Sequence, residues 1–339
     1  MTLRLDHPGK HILLFYREYE PDSFIRGDRY LKRLVRPLYN RLHHRQKVTG
    51  FGVSFNMLHR GLAEAGYVVH CNDYALARAN PDYPVGIVGG PALLEDWTLP
   101  NPAILGPSIY DQPGQNPRLF EDARFRTYVC LGDWMVHLFE TVYRGRCIQW
   151  FAGIDTDTWP DLSDQPKDLD FLIYDKVRWD HDDYQQSLID PILGDLDARG
   201  LTYELIRYRH HDHETFKSLL SRAKGMLFLC ENETQGIAYQ EALASGVPVL
   251  AWDRGYWGDP QWKAHLDKAP WASSVPFFSP ACGERFVGME DWGAKLEAFL
   301  AGRGDYKPRD YVKANLDIAT SGRIYAQAYF AAAKARLAA

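Results

Sequence analysis

The run KGMLFLCENETQGIAYQEALASGVPVLAWD, Lys224 to Asp253, constrains the fold more than any other part of the chain. Its first third is a short apolar segment ending at Cys230, which reads as a strand buried on both faces. A polar loop follows, then a helical segment from Gly236 to Ser245. Gly246 supplies a left-handed stop, and Pro248 to Trp252 begins a second strand. Strand, loop, helix and strand joined this tightly make a crossover unit, so the two strands run parallel and helices must cover the sheet.

The same alternation runs through the whole chain. In the first half, His11–Tyr16, Tyr67–Cys71, Pro84–Val88, Ala103–Gly106, Thr127–Leu131 and Cys147–Phe151 read as strands. Val53 to Ala65 reads as a helix stopped by Gly66, and Asp133 as the cap of a helix running to Tyr143. The Asp- and Pro-rich segment Gly153–Asp168 reads as a linker. In the second half the strands are Leu169–Tyr174, Tyr203–Tyr208, Met226–Cys230 and Pro248–Trp252, with helices at 182–199, 213–223 and 236–245 and an Ala-rich helical tail from Asp310 to Leu337. Two α/β halves of doubly wound parallel sheet follow, with residues 1–157 in the first domain, 158–309 in the second and 310–339 as the tail. In such sheets ligands bind at the carboxyl ends of strands, so a cleft between the halves is the expected site.

The polar loop carries the chemistry. Glu233 stands at the carboxyl end of a strand, and Glu241, eight residues on, lies in the following helix. Helical side chains tilt toward the amino terminus, so Glu241 can reach back to the same mouth. Between them, the open backbone amides of Gly236, Ile237 and Ala238 favour an anion. Amides for a diphosphate, one carboxylate for paired ribose hydroxyls and one for a sugar together suit a nucleotide sugar. The spacing of two glutamates is common in helical proteins; the whole string is what gives it meaning.

This string resembles the donor-binding signature of the GT-B glycosyltransferases, above all the retaining family 4 group. GIDTDTW at 153–159 is similar to the family's linker entry, and DLDFLIYDKVR at 168–178 to its following strand and basic turn. The resemblance implies a GT-B fold of two facing Rossmann-like domains, with the last helix crossing back to the first. It also implies that Lys176 takes the place of a phosphate-binding arginine. Glu233, Thr234, Gln235, Gly236, Ile237, Ala238 and Glu241 line the donor site by the same resemblance. The family's second basic residue is His181 here, which leaves open whether Arg178 substitutes. TGFGVSFNML, Thr49 to Leu58, resembles the glycine loop facing the diphosphate, with Gly50 and Gly52 permitting close approach; an ordinary turn explains it equally well. No first-domain histidine stands where the family often has one. Asp111, in GPSIYDQPG, and Asp73 are the acceptor-side candidates.

Composition narrows the function classes. A net charge of −5 argues against general nucleic-acid binding. Five cysteines without paired or metal-type spacing read as reduced core residues of a cytosolic protein, and neither a signal peptide nor a membrane span is expected. Ten tryptophans and twenty tyrosines fit sugar stacking, although surplus aromatics more often fill cores. RHHDHE, Arg209 to Glu214, invites a metal reading, but a helix cap at Asp212 accounts for it better, and a nucleotide contact is the more plausible function there. Between Arg26 and Lys47 lie eight Arg or Lys against one acid, with apolar residues at helical spacing. Such a basic amphipathic insertion, within 17–48, suits an anionic lipid surface or an anionic acceptor through Arg29, Lys32, Arg33 and Arg36.

The expectation is a retaining, metal-independent glycosyltransferase without cofactor. It moves a hexose-type sugar from a nucleotide sugar to a glycan or lipid-linked acceptor in cell-surface polysaccharide or glycolipid synthesis, in the cytoplasm or at the inner membrane face. Lys176 and Arg178 hold the diphosphate, Glu241 the ribose and Glu233 the sugar. The alternatives are a non-catalytic subunit of the same fold and a nucleotide-sugar epimerase.

Overall fold

The fold was described from a computed structural model, which covers residues 5, 8–17 and 50–334. The basic insertion, with Arg29, Lys32, Arg33 and Arg36, lies outside the described residues. The chain forms two compact units, Met1–Gly153 with Ile318–Ala339, and Ile154–Asp317. The sequence reading placed the breaks after residues 157 and 309.

The first unit is a six-stranded parallel sheet of β1 (His11–Tyr16), β2 (Val68–Cys71), β3 (Val85–Val88), β4 (Ala103–Leu105), β5 (Phe125–Leu131) and β6 (Cys147–Trp150), in the order β2-β1-β3-β4-β5-β6. Its core strands are continuous apolar runs because helices cover parallel sheets on both faces. Ile12, Leu13, Leu14 and Phe15 are all fully buried. Two sequence expectations change here. Gly50 and Gly52 lie in the first turn of the helix Gly50–Glu64, so this stretch is helix where a glycine loop was expected. Asp133 is the first residue of its helix, and Gly132 is the cap.

The Ala-rich tail is two helices, Pro308–Asn315 and Ile318–Lys334. They break at Leu316 and Asp317, where Ile154 N donates to Leu316 O (2.9 Å) and Ile154 bridges Asp317. The second helix belongs to the first unit. Tyr329 Oη accepts from Leu13 N at 2.9 Å, and Trp150 Nε1 donates to Ser321 O at 3.0 Å. It packs on Gly50–Glu64 through bare backbone: a Cβ on Gly322 would strike the Gly61 carbonyl, and one on Gly61 would come within 2.7 Å of Ile318 O. Gly322→Val therefore separates the helices and destabilises the chain by about 1–3 kcal/mol, read as a lowered urea midpoint at unchanged slope.

The second unit is a five-stranded parallel sheet of β7 (Phe171–Lys176), β8 (Tyr203–Arg207), β9 (Met226–Cys230), β10 (Val249–Trp252) and β11 (Gly283–Phe286), in the order β11-β10-β9-β7-β8. Phe171, Ile173, Leu227, Leu229 and Leu250 pack against Ile189, Ile192, Leu196, Leu296 and Phe299 of the flanking helices. The helix expected at 182–199 is present as a helical run from His181 to Ala198, with one wider turn at Gln185–Ile189 just before Pro191, which has no N–H to give. Sequence order reverses between β7 and β9, so connections leave their carboxyl ends in opposite directions and open a crevice there.

Candidate functional site

That crevice is floored by the last residues of β7 and β9, with Lys176 in register with Cys230. Asp175, 2% exposed, faces the side of β7 away from Lys176 and accepts from Val177 N (3.1 Å) and His181 Nε2 (2.7 Å). His181 is thereby committed to Asp175. It orders the turn after β7 and does not replace a second phosphate-binding cation.

Lys176 pairs with Glu233 across the reversal, and its ammonium stands 4.5 Å from the centre of the Tyr208 ring. Side-chain exposure is only 14% for Lys176 and 9% for Glu233. Burial alone would neutralise both. It is outweighed by the partner's charge, so the Glu233 carboxyl lies below its usual range, helped by Arg178, and the Lys176 ammonium above its own.

Glu231 is a residue that motif reasoning passed over. It is fully buried, and its Oε1 accepts the backbone amides of Arg178 (2.6 Å) and Trp179 (2.9 Å) while Oε2 lies 3.5 Å from Arg178 Nε. It staples the turn after β7 to the loop after β9. The Arg178 guanidinium donates to the Asn232 carbonyl and lies 4.3 Å from the Trp179 ring centre. Arg178 thus fixes the loop that carries Glu233 and reaches that carboxylate through its charge. The doublet of acids around Asn232 is the one sequence signal that marked Glu231.

The helix Ile237–Ala244 starts at Gly236, which is left-handed at φ 75°. Its first backward bond runs from Gln240 N to Gly236 O (3.2 Å), which leaves the Ile237 and Ala238 amides facing out of the helix end. Gln235 is buried and bonded to Gln240 (2.8 Å), so its side chain braces the helix start; Thr234 is half-buried beside it. Glu241 is half-buried on that helix. Burial pushes its carboxyl up to about 8, with Lys217 pulling it partly back. Burial, then the charges of Glu233, Tyr208 and Glu241, raise the phenol of Tyr174. Lys176, Glu233 and the start of the helix Ile237–Ala244 thus stand at the carboxyl ends of β7 and β9, with Glu241 about one turn into that helix.

RHHDHE takes up structural roles: Asp212 caps the helix His213–Arg222 through Thr215 N (2.7 Å), and His211 Nδ1 lies 2.9 Å from Arg207 O. Among the described residues, no three His, Cys, Asp or Glu side chains are grouped to hold a metal. In the first unit, Asp73 caps the helix Tyr74–Ala79 through Leu76 N (2.9 Å). Asp111 is exposed in a turn closed by its own N–H to Gln115 Oε1 (2.8 Å).

No protein-family model matches this sequence, and no curated protein matches it. Solved structures do. Sucrose-phosphate synthase from Thermosynechococcus elongatus is 14% identical and superposes with a TM-score of 0.53 over 95% of this chain and 100% of that one. The lipopolysaccharide outer core galactosyltransferase WaaB is 10% identical, with a TM-score of 0.51 over 95% and 99%. AviGT4, a glycosyltransferase involved in avilamycin A biosynthesis, is 12% identical, with a TM-score of 0.50 over 96% and 98%. The likeness spans nearly the full length in each case and is one of fold.

Proposed function

We propose that this chain, which has the GT-B fold, is a glycosyltransferase that moves a sugar from a nucleotide-sugar donor to a glycan or lipid-linked acceptor with retention of configuration. The observation that carries the reading is the Lys176–Glu233 pair and two outward helix amides at the sheet's reversal point, with Glu241 about one turn into the same helix. Each has a task there. The amides of Ile237 and Ala238 and the Lys176 ammonium receive the diphosphate, and Glu241 accepts the ribose hydroxyls. When sugar hydroxyls engage Glu233, its hold on Lys176 relaxes, and that cation turns to the departing diphosphate. Charge on the leaving group grows in the transition state, and donors already aimed at it lower the barrier by roughly 3–4 kcal/mol each. The reading gives this work to Lys176 and the amides rather than to a metal ion. Among the described residues no helix is long and apolar enough to cross a membrane. The eight cations between Arg26 and Lys47 supply the surface for an anionic membrane or acceptor.

A thermal-shift panel of nucleoside diphosphates and their sugars tests the reading. One nucleotide at a hundred times its dissociation constant stabilises the chain by about 2.7 kcal/mol, whereas a panel without any shift overturns the proposal. Donor binding with no transfer to any acceptor favours the non-catalytic alternative, and sugar interconversion without acceptor favours the epimerase.

Glu241 adds a pH signature. Its folded carboxyl titrates near 8 against an unfolded value of about 4.3, so between those values the unfolded chain holds fewer protons and stability falls as pH rises. Glu241→Gln removes that penalty. The ligand-free variant gains about 1–2 kcal/mol at pH 8, after allowing for the water that reaches the group, and almost nothing near pH 4.5. Urea midpoints at the two pH values show the difference; an equal gain at both contradicts the assignment of a raised carboxyl.

A further inference from the structure

The connection from β10 to β11, residues 253 to 282, has no long crossover helix, only the short turn Pro260–Ala264. Its sequence is rich in aromatics, with Tyr256, Trp257, Trp262 and Trp271. Two stretches of it form a ribbon. Trp257 N donates to Pro270 O (2.9 Å) and Ala272 N to Gly255 O (3.4 Å), and between these bonds Tyr256 and Trp271 face each other as an antiparallel pair. Directly opposed residues on antiparallel chains project to the same face, and a pair bracketed by such bonds is the closer kind, about 4.5 Å between Cα atoms. Both side chains are open to solvent, Tyr256 at 43% and Trp271 at 50%. Of the exposed large hydrophobic side chains among the described residues, these two are the aromatic ones.

The ribbon is anchored in the donor loop by both arms. Gly258 N donates to Asn232 Oδ1 (3.0 Å), and Glu233 N donates to Ser273 O (2.9 Å). Each anchor lies two residues beyond one of the rings, so at about 3.3 Å per extended residue plus the hydrogen bond the Trp271 backbone lies within about 12 Å of the backbone of Glu233. The ribbon is also held from behind. Ser273 Oγ and Ser274 N bond to the two oxygens of Asp253, and the Arg254 guanidinium lies 4.1 Å from the Tyr256 ring centre.

We infer that Tyr256 and Trp271 form a stacking platform for a pyranose ring of the acceptor saccharide, beside the donor-sugar carboxylate. The inference rests on the glycosyltransferase reading of the site. Two half-exposed rings offer on the order of 200 Å², far short of the ~800 Å² that a specific protein interface takes from each side. That area matches the apolar face of one sugar ring. The ribbon is bonded to the loop that carries Glu233, and an acceptor has to approach the donor sugar. Rigid backbone anchoring on both arms suits a platform that must hold a ring at a fixed height.

Saturation-transfer NMR with maltotriose, cellotriose, chitotriose and mannotriose tests the platform, with nucleoside-diphosphate binding measured in parallel. At least one trisaccharide binds the unaltered chain. Trp271→Ala and Tyr256→Ala each weaken it at least tenfold, Trp271→Phe retains it, and nucleotide affinity stays within twofold in all three variants. Retained nucleotide affinity also shows that the variants are folded. The platform is overturned if no trisaccharide binds, or if binding survives both alanine variants. Where the nucleotide still binds in those cases the donor reading stands; where no nucleotide binds the unaltered chain either, the donor reading falls as well.

Discussion

Lys176→Met lowers the stability of the folded chain by about 3–5 kcal/mol, the usual penalty for leaving one member of a buried ion pair uncompensated. The penalty is large because Glu233 is 9% exposed and its charge is held by Lys176 first and Arg178 second. Lys176→Met combined with Glu233→Gln recovers most of the loss, since a neutral pair needs no partner charge. The pH behaviour follows from the signs. Glu233, lowered in the folded state, stabilises above its unfolded value and loses that contribution as pH falls through its folded value. Lys176, raised, contributes below its unfolded value near 10.4 and loses it above. The pair therefore holds steadily from about pH 5 to pH 10, whereas in the single variant the buried Glu233 carboxyl loses its main counter-charge and is pushed up, so the stability gap to the unaltered chain widens as pH rises through that window. In turnover the recovery does not occur: on the proposed reading both the single and the double variant lose transfer by about a hundredfold to a thousandfold, because that reading aims Lys176 at the diphosphate. Urea midpoints beside kcat/KM separate the two effects. A single variant within 1 kcal/mol of the unaltered chain would mean that the pair is not buried as described.

Gly236→Ala produces the second large effect. The residue sits at φ 75°, and a Cβ there would run into the Tyr239 ring. That ring cannot step aside: it is fully buried, and its hydroxyl accepts from Phe277 N (3.0 Å) and lies 3.2 Å from Phe277 O. Strain of this kind costs about 1–3 kcal/mol, and relief comes by tilting the first turn of the helix. The Ile237 and Ala238 amides move with that turn. Nucleotide affinity falls at least tenfold while Glu233 and Lys176 remain in place, and calorimetry of the purified variant measures it. An alanine variant with unchanged affinity would remove the helix amides from the site.

What the sequence made legible and what it hid divide along physical lines. Short apolar runs and helical periodicity are local, so every strand but β11, the stop at Gly246 and the cap at Asp212 could be read directly. The donor loop could be read because strand, loop and helix are contiguous from Met226 to Ala244. The role of Glu231 could not, since it arises from the register of Lys176 with Cys230, strands far apart in sequence. His181 looked like a displaced cation until Asp175 was seen bonded to it. Gly50 and Gly52 read as a loop because the stretch resembles the family's glycine loop, yet here they form a helix's first turn. β11, GERF, has too few apolar residues to signal a strand, and the ribbon of Tyr256 and Trp271 depends on a pairing across fourteen intervening residues.

The central claim is that a nucleoside diphosphate binds where β7 and β9 end, its ribose on Glu241 and its phosphates on the helix amides and Lys176. Paired calorimetric titrations of the unaltered chain and of Glu241→Ala, each with the nucleoside diphosphate giving the largest thermal shift and with pyrophosphate, separate those two contacts. The account predicts that Glu241→Ala weakens the nucleotide at least tenfold and leaves pyrophosphate unchanged. Equal nucleotide affinity in the two proteins would contradict it.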